Sequence, residues 1–119
     1  MFYQLEGSIK VIVQDNGERK EMELHAGDMY LHPAKTPHSP VRSEGSIGLV
    51  IERKRAGLGY TDGLLWFCDN CNHKLHEVYF ELHDIEKDFL PHFRHFYSSK
   101  KLRSCAKCGT EMEVDPKFV

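Results

Sequence analysis

Two short cysteine motifs, Cys68-Asp-Asn-Cys71 and Cys105-Ala-Lys-Cys108, constrain this chain more than any other feature. Each puts two sulfurs on one tight turn, and two such turns facing each other form a tetrahedral four-thiolate cage. The segment between Cys71 and Cys105 must therefore leave the cage and return to it. Gly109, directly after Cys108, suits a knuckle whose backbone amides turn toward the sulfurs. Four thiolates leave no open coordination position, so the expected role is structural: one metal ion holding a helix and tail to the body. Sulfur alone does not separate zinc from iron. Two disulfides in a secreted protein are the alternative, but no charged-then-apolar leader precedes the first strand. His73 and His76 lie nearby and are read as surface residues, since four cysteines complete the shell.

At 119 residues the chain has room for one domain with an appendage. Sixteen Lys and Arg against eighteen Asp and Glu leave a net charge of −2, which argues against a general nucleic-acid surface. No apolar run reaches membrane-spanning length, so a soluble, cytoplasmic protein is expected. The first half alternates with period two. Strands are expected over Met1–Leu5, Ser8–Gln14, Arg19–Leu24, Met29–His32 and Ser46–Arg53, with a hairpin turn at Asn16-Gly17. The charged, glycine-rich stretch from Lys54 to Gly63 reads as a boundary, dividing the chain into residues 1–56 and 57–119. Beyond it, strands are expected over Leu64–Phe67 and Lys74–His83. A helix follows to about Ser99, with Pro91 in its first turn. Phe89, Phe93, Phe96 and Tyr97 form one apolar stripe, read as a face packed on the first half. The tail from Glu111 is expected to be loose. Short strands at about ten-residue spacing imply an all-β antiparallel sandwich or barrel.

Within that first half, Gly27 opens a turn, and Pro33 and Pro37 stiffen the chain before it presents His38. Prolines exclude a central ladder there, leaving a rigid platform for one side chain. The spacing Gly27, Pro33, His38, Arg42 resembles the second sequence motif of cupins, small β-barrels in which that histidine is a metal ligand. Arg42 lies on the following strand, where a guanidinium lining a cavity is a good fork for a carboxylate. Glu52 shares a strand face with Gly48 and Val50, whose small size leaves room. A plain salt bridge between Arg42 and Glu52 is the alternative. His25, Tyr30 and His32 are read as strand or turn surface.

Phe2-Tyr3-Gln4, Pro37-His38-Ser39-Pro40, Val50-Ile51-Glu52 and both cysteine pairs together resemble the 3-hydroxyanthranilate 3,4-dioxygenase family, in its single-cupin microbial type with a rubredoxin-like C-terminal appendage. The resemblance implies Fe(II) at the barrel site, dioxygen, and a small aromatic substrate, an ortho-aminophenol bearing a carboxylate. Its ring would be opened to 2-amino-3-carboxymuconate semialdehyde, on the quinolinate branch of NAD biosynthesis. It further implies a homodimer, with no nucleic acid or membrane as partner. His38 would be an iron ligand and Arg42 the partner of the substrate carboxylate. Glu52 would be a catalytic and substrate-binding residue, hydrogen-bonding the amino or hydroxyl group. Cys68, Cys71, Cys105 and Cys108 would hold a second iron or a zinc.

The family's first motif places a ligand glutamate before the residue matching Met1, and a histidine ligand further upstream. The expectation is therefore an N-terminally shortened chain with one of three iron ligands, inactive by itself. A non-catalytic, cupin-derived metal module is the competing reading. A zinc ribbon binding nucleic acid through Lys100-Lys101-Leu102-Arg103 ranks below both.

Overall fold

Alternation along Ile9–Asp15 sets the first core. In the computed structural model, which describes residues 1–118, Val11 is fully buried and Ile9 and Val13 nearly so. Phe2 and Leu24 complete this cluster, with Met22 and Tyr30 packed against it. The chain divides into two units, Met1–Arg53 and the residues from Lys54 onward.

The first unit contains β1 (Phe2–Glu6), β2 (Ile9–Asp15), β3 (Glu18–Leu24), β4 (Met29–Tyr30), β5 (His38–Arg42) and β6 (Ile47–Val50). They form two antiparallel sheets, ordered β4-β1-β6 and β3-β2-β5. Asn16 and Gly17 both take positive φ, +52° and +80°, as the two-residue turn joining β2 and β3 requires. Directly opposed residues share a sheet face. The pairs Val13↔His38, Val11↔Pro40 and Ile9↔Arg42 therefore put His38 and Arg42 on the core-facing side of their sheet. On the other sheet, Phe2 opposes Tyr30 and Val50, and Gln4 opposes Gly48. β4 and β6 are shorter than the expected Met29–His32 and Ser46–Arg53. Pro33 holds the residue before it extended but cannot donate to a ladder. Beyond β6, Met1 and Ile51 still exchange two backbone hydrogen bonds of 2.8 and 2.9 Å.

The second unit is a hairpin covered by a helix. β7 (Asp62–Phe67) pairs antiparallel with β8 (Lys74–Phe80), followed by α1 (Ile85–Ser98) and the single turn α2 (Lys100–Arg103). Helix α1 begins six residues before Pro91, which corrects the expected start. Asp84 caps it, accepting the Lys87 amide at 3.0 Å, while Asp88 accepts the His83 and Asp84 amides at 2.7 and 2.8 Å. These bonds hold the Asp88 carboxyl below its ordinary pKa, chiefly through the Asp84 amide and then that of His83. The proline costs one helical hydrogen bond, but aromatic packing on both sides offsets it. Phe89 meets Phe80 edge-on at 5.5 Å, and beyond Pro91 the fully buried Phe96 stacks on Trp66 at 4.6 Å. The stripe thus finds aromatic partners inside its own unit. Asp84→Ala is expected to destabilise this unit by about 1 kcal/mol. Asp84→Ser should recover most of that, as read by denaturant unfolding.

The tail is tied down rather than loose. Glu111 bridges Ser104, the Met112 amide donates to Arg103 O at 2.8 Å, and Phe118 stacks on Phe93 at 4.3 Å. Residue 119 lies outside the described residues.

Candidate functional site

The two cysteine turns are built alike. The Cys68 amide donates to His73 O at 2.8 Å and the Asn72 amide to Cys68 O at 2.9 Å. Cys105 and Thr110, then Gly109 and Cys105, repeat both bonds at 2.8 and 2.9 Å. Asn72 and Gly109, four residues past the first cysteine of each turn, take φ of +63° and +78°. Left-handed backbone there closes the turn, and glycine or asparagine adopts it at least cost. All four Sγ atoms lie within 4.8 Å of one another, with Cys68–Cys108 and Cys71–Cys105 both at 3.6 Å. Metal–thiolate bonds of about 2.3 Å set tetrahedral sulfurs about 3.8 Å apart. The cluster therefore fits one metal ion without rearrangement.

Its electrostatics point the same way. Cys108 is held down to about 5, first by the Thr110 hydroxyl, then by the Thr110 amide and the Asn70 side chain. Cys71 is pushed up to about 11: the His73 amide pulls it down, but burial and its three sulfur neighbours outweigh that pull. Packed sulfurs cannot all ionise without a cation, and a bound dication removes the conflict. Arg103 braces the second turn from behind. It donates to Tyr97 O at 3.0 Å, Met112 O at 2.7 Å and Glu111 Oε1 at 3.2 Å. Lys100 also pairs with Glu111, at 3.5 Å. Arg103 of the basic run thus serves internal bonds.

On the first unit, β5 carries both His38 and Arg42. The His38 residue is solvent-exposed, yet its ring sits edge-on to Phe2 at 5.9 Å and 4.0 Å from the His32 ring. That packing lowers its pKa first. The Thr36 carbonyl and Glu52 pull it upward, and His32 pushes it down. Thr36 O lies 3.2 Å from His38 Nδ1 and 2.8 Å from His32 Nε2. A carbonyl only accepts, so both nitrogens donate. His38 is left with a free Nε2 lone pair, as a metal-ligating histidine needs. The remaining His32 nitrogen faces Tyr30 Oη at 3.3 Å, so His32 orients its neighbour and has no lone pair to spare. Tyr30 and His32 are half-buried, which corrects their reading as surface; His25 is exposed, as that reading has it. Their alternation with exposed Met29 and Leu31 was the available signal. His76 is likewise half-buried, its ring 5.6 Å from Trp66, whereas His73 is exposed.

Glu52 lies just past β6, close enough for its charge to act on His38. Arg42 approaches from the opposite sheet. A Cβ added at Gly48 would stand 3.0 Å from Arg42 Nη1 and 2.7 Å from Gln4 Oε1. Gly48 is thus small because two polar side-chain ends occupy the space above it. Gln4 belongs to the Phe2-Tyr3-Gln4 motif, which by itself assigns it no role; it is 1 % exposed.

Paired antiparallel sheets followed by a helix and a four-cysteine cluster define a cupin-like fold with a metal-knuckle appendage. The chain belongs to the 3-hydroxyanthranilic acid dioxygenase family, whose sequence model matches residues 1–97. It is 53% identical over 108 residues to the 3-hydroxyanthranilate 3,4-dioxygenase of Xanthomonas campestris pv. campestris (strain 8004), covering 91% of this chain and 61% of that protein. The protein of the same name from Bacillus thuringiensis (strain Al Hakam) is 42% identical over 109 residues, 91% of this chain and 60% of its own length. The chain thus spans about three fifths of the curated relatives it matches.

Proposed function

We propose that this chain carries the substrate-binding part of a ring-cleaving dioxygenase acting on 3-hydroxyanthranilate. The ring bond between carbons 3 and 4 is broken and both atoms of O2 enter the product, 2-amino-3-carboxymuconate semialdehyde, a precursor of quinolinate in NAD synthesis. The observation that carries the reading is the placement of His38 and Arg42 on one core-facing strand face. Four residues of strand separate their backbones by about 13 Å. A reaching guanidinium at one end and an imidazole at the other leave room for a metal ion and one aromatic ring. Arg42 forks the substrate carboxylate, and Glu52 accepts from the amino or hydroxyl group. The family relation and the free Nε2 of His38 support Fe(II) at this face, where it would bring O2 and the ring oxygen together. The reading also places the protein in the cytoplasm as a homodimer, which sedimentation checks.

His38 fits iron, but among the described residues the one assembled group of three or more His, Cys, Asp or Glu is the four cysteines. A three-ligand iron face is not complete within these residues. The 119-residue chain is therefore expected to give no ring-opening turnover with Fe(II), O2 and 3-hydroxyanthranilate. A longer form supplying a further histidine and carboxylate should turn over. Robust turnover by the 119-residue chain would show that its own residues complete the shell. The complete thiolate cage favours a second reading, a non-catalytic metal module, which an inactive longer form would support.

A further inference from the structure

We propose that Gln4 is a positioning residue for Arg42: its buried carboxamide oxygen, unpartnered in the structure, takes a hydrogen bond from the nearby guanidinium after a small side-chain rotation and so fixes the direction of the fork. The inference rests on the reading of Arg42 as a carboxylate clamp. Gln4 Nε2 donates to Glu6 O at 2.7 Å, which fixes the amide's orientation, because a flipped amide would set two oxygens against each other. Oε1 is then the buried end, and it has no hydrogen-bond partner. An orphaned buried acceptor is costly, and a core that tolerates one commonly uses it. Oε1 is buried, and the side-chain donor beside it is the Arg42 guanidinium. Arg42 Nη1 shares the space over Gly48 with it, and Arg42 makes no ion pair among the described residues. A guanidinium has five N–H groups in a rigid plane. One directed at Gln4 leaves the opposite edge for two parallel bonds to a carboxylate. Gly48 leaves room for both groups, since a Cβ there would crowd Gln4 Oε1 at 2.7 Å and Arg42 Nη1 at 3.0 Å.

The test compares Gln4→Met with Gln4→Glu in the 119-residue chain. Both lose the donor to Glu6 O, but only the methionine loses the acceptor. Nitrogen NMR of the wild type should show hindered rotation of the Arg42 guanidinium, seen as two resolved Nη signals. Gln4→Met should merge them, and Gln4→Glu should keep them apart. Titration with 3-hydroxyanthranilate should weaken by about fivefold in Gln4→Met, while 2-aminophenol, the same ring without the carboxylate, should bind as to wild type. A structural role alone would not separate the two ligands. Merged signals in the wild type, or signals unchanged in Gln4→Met, overturn the proposal. If Gln4→Met does not fold, merged signals in Gln4→Glu overturn it equally. A wild-type chain that binds neither ring retires the clamp reading of Arg42 but not the guanidinium result, which then decides the Gln4–Arg42 bond alone.

Discussion

Cys105→Ser should strip the metal from the second unit and loosen the end of α1, with the first unit intact. Cys105 is buried, its amide and carbonyl close the second knuckle, and its sulfur lies 3.6 Å from that of Cys71. A serine keeps the turn but is a poor ligand for a metal that selects thiolate. Three sulfurs and a hydroxyl leave an incomplete shell, and binding energy here is folding energy. Loss of an outer partner of a metal ligand weakens binding by about 10- to 100-fold; loss of a ligand should exceed that range. Removing the metal also returns the charge conflict in which Cys108 falls to about 5 while Cys71 rises to about 11. Elemental analysis of reduced wild-type protein should find one zinc or iron per chain, and Cys105→Ser should hold well under half of that after brief chelation. Trp66, stacked on Phe96 of α1, reports the loosening by fluorescence. Absence of stoichiometric metal in the wild type would sink the metal-site reading.

The residues that could be read from sequence were those with one partner type or one period. The cysteine spacing determines its own geometry, and the turns sit where it requires. Ile9, Val11 and Val13 announce their face by alternation, and Asn16-Gly17 announces its turn by the backbone it tolerates. What stayed hidden depended on contacts between distant segments. Pro91 looks like a helix start because its local cost is visible, while the stacking of Phe96 on Trp66 is not. The Asp84 cap was available to a reader who put capping ahead of proline. The tail looked loose because nothing in its composition shows that Phe118 finds Phe93. Gln4 is the extreme case. A polar residue on an expected strand carries no sign of being sealed inside, and its use appears only once Arg42 and Gly48 arrive from other strands.

Arg42→Ala, in a form of the protein that binds substrate, should weaken affinity for 3-hydroxyanthranilate by at least about tenfold and leave iron content unchanged. A carboxylate held by a guanidinium gains two charge-assisted hydrogen bonds that an alanine cannot supply. Losing one partner of such a pair costs about 2–5 kcal/mol, much of it from leaving the other charge unpaired. Even the lower figure exceeds a factor of ten. Arg42→Lys should recover only part, because one ammonium is a point charge and cannot reproduce the fork or span to Gln4 Oε1. The competing view makes Arg42 one half of a structural bridge with Glu52. It predicts the reverse pattern, a lowered melting temperature with substrate affinity retained. No such bridge to Arg42 forms among the described residues, and the guanidinium instead shares the space over Gly48 with Gln4. That arrangement favours the clamp, since a cation with no carboxylate partner of its own keeps its charge for a ligand. Melting temperature and substrate titration measured on the same Arg42→Ala protein separate the two. A variant that melts early yet binds the carboxylated ring normally would end the clamp role, whereas normal melting with lost affinity for that ring alone would establish it.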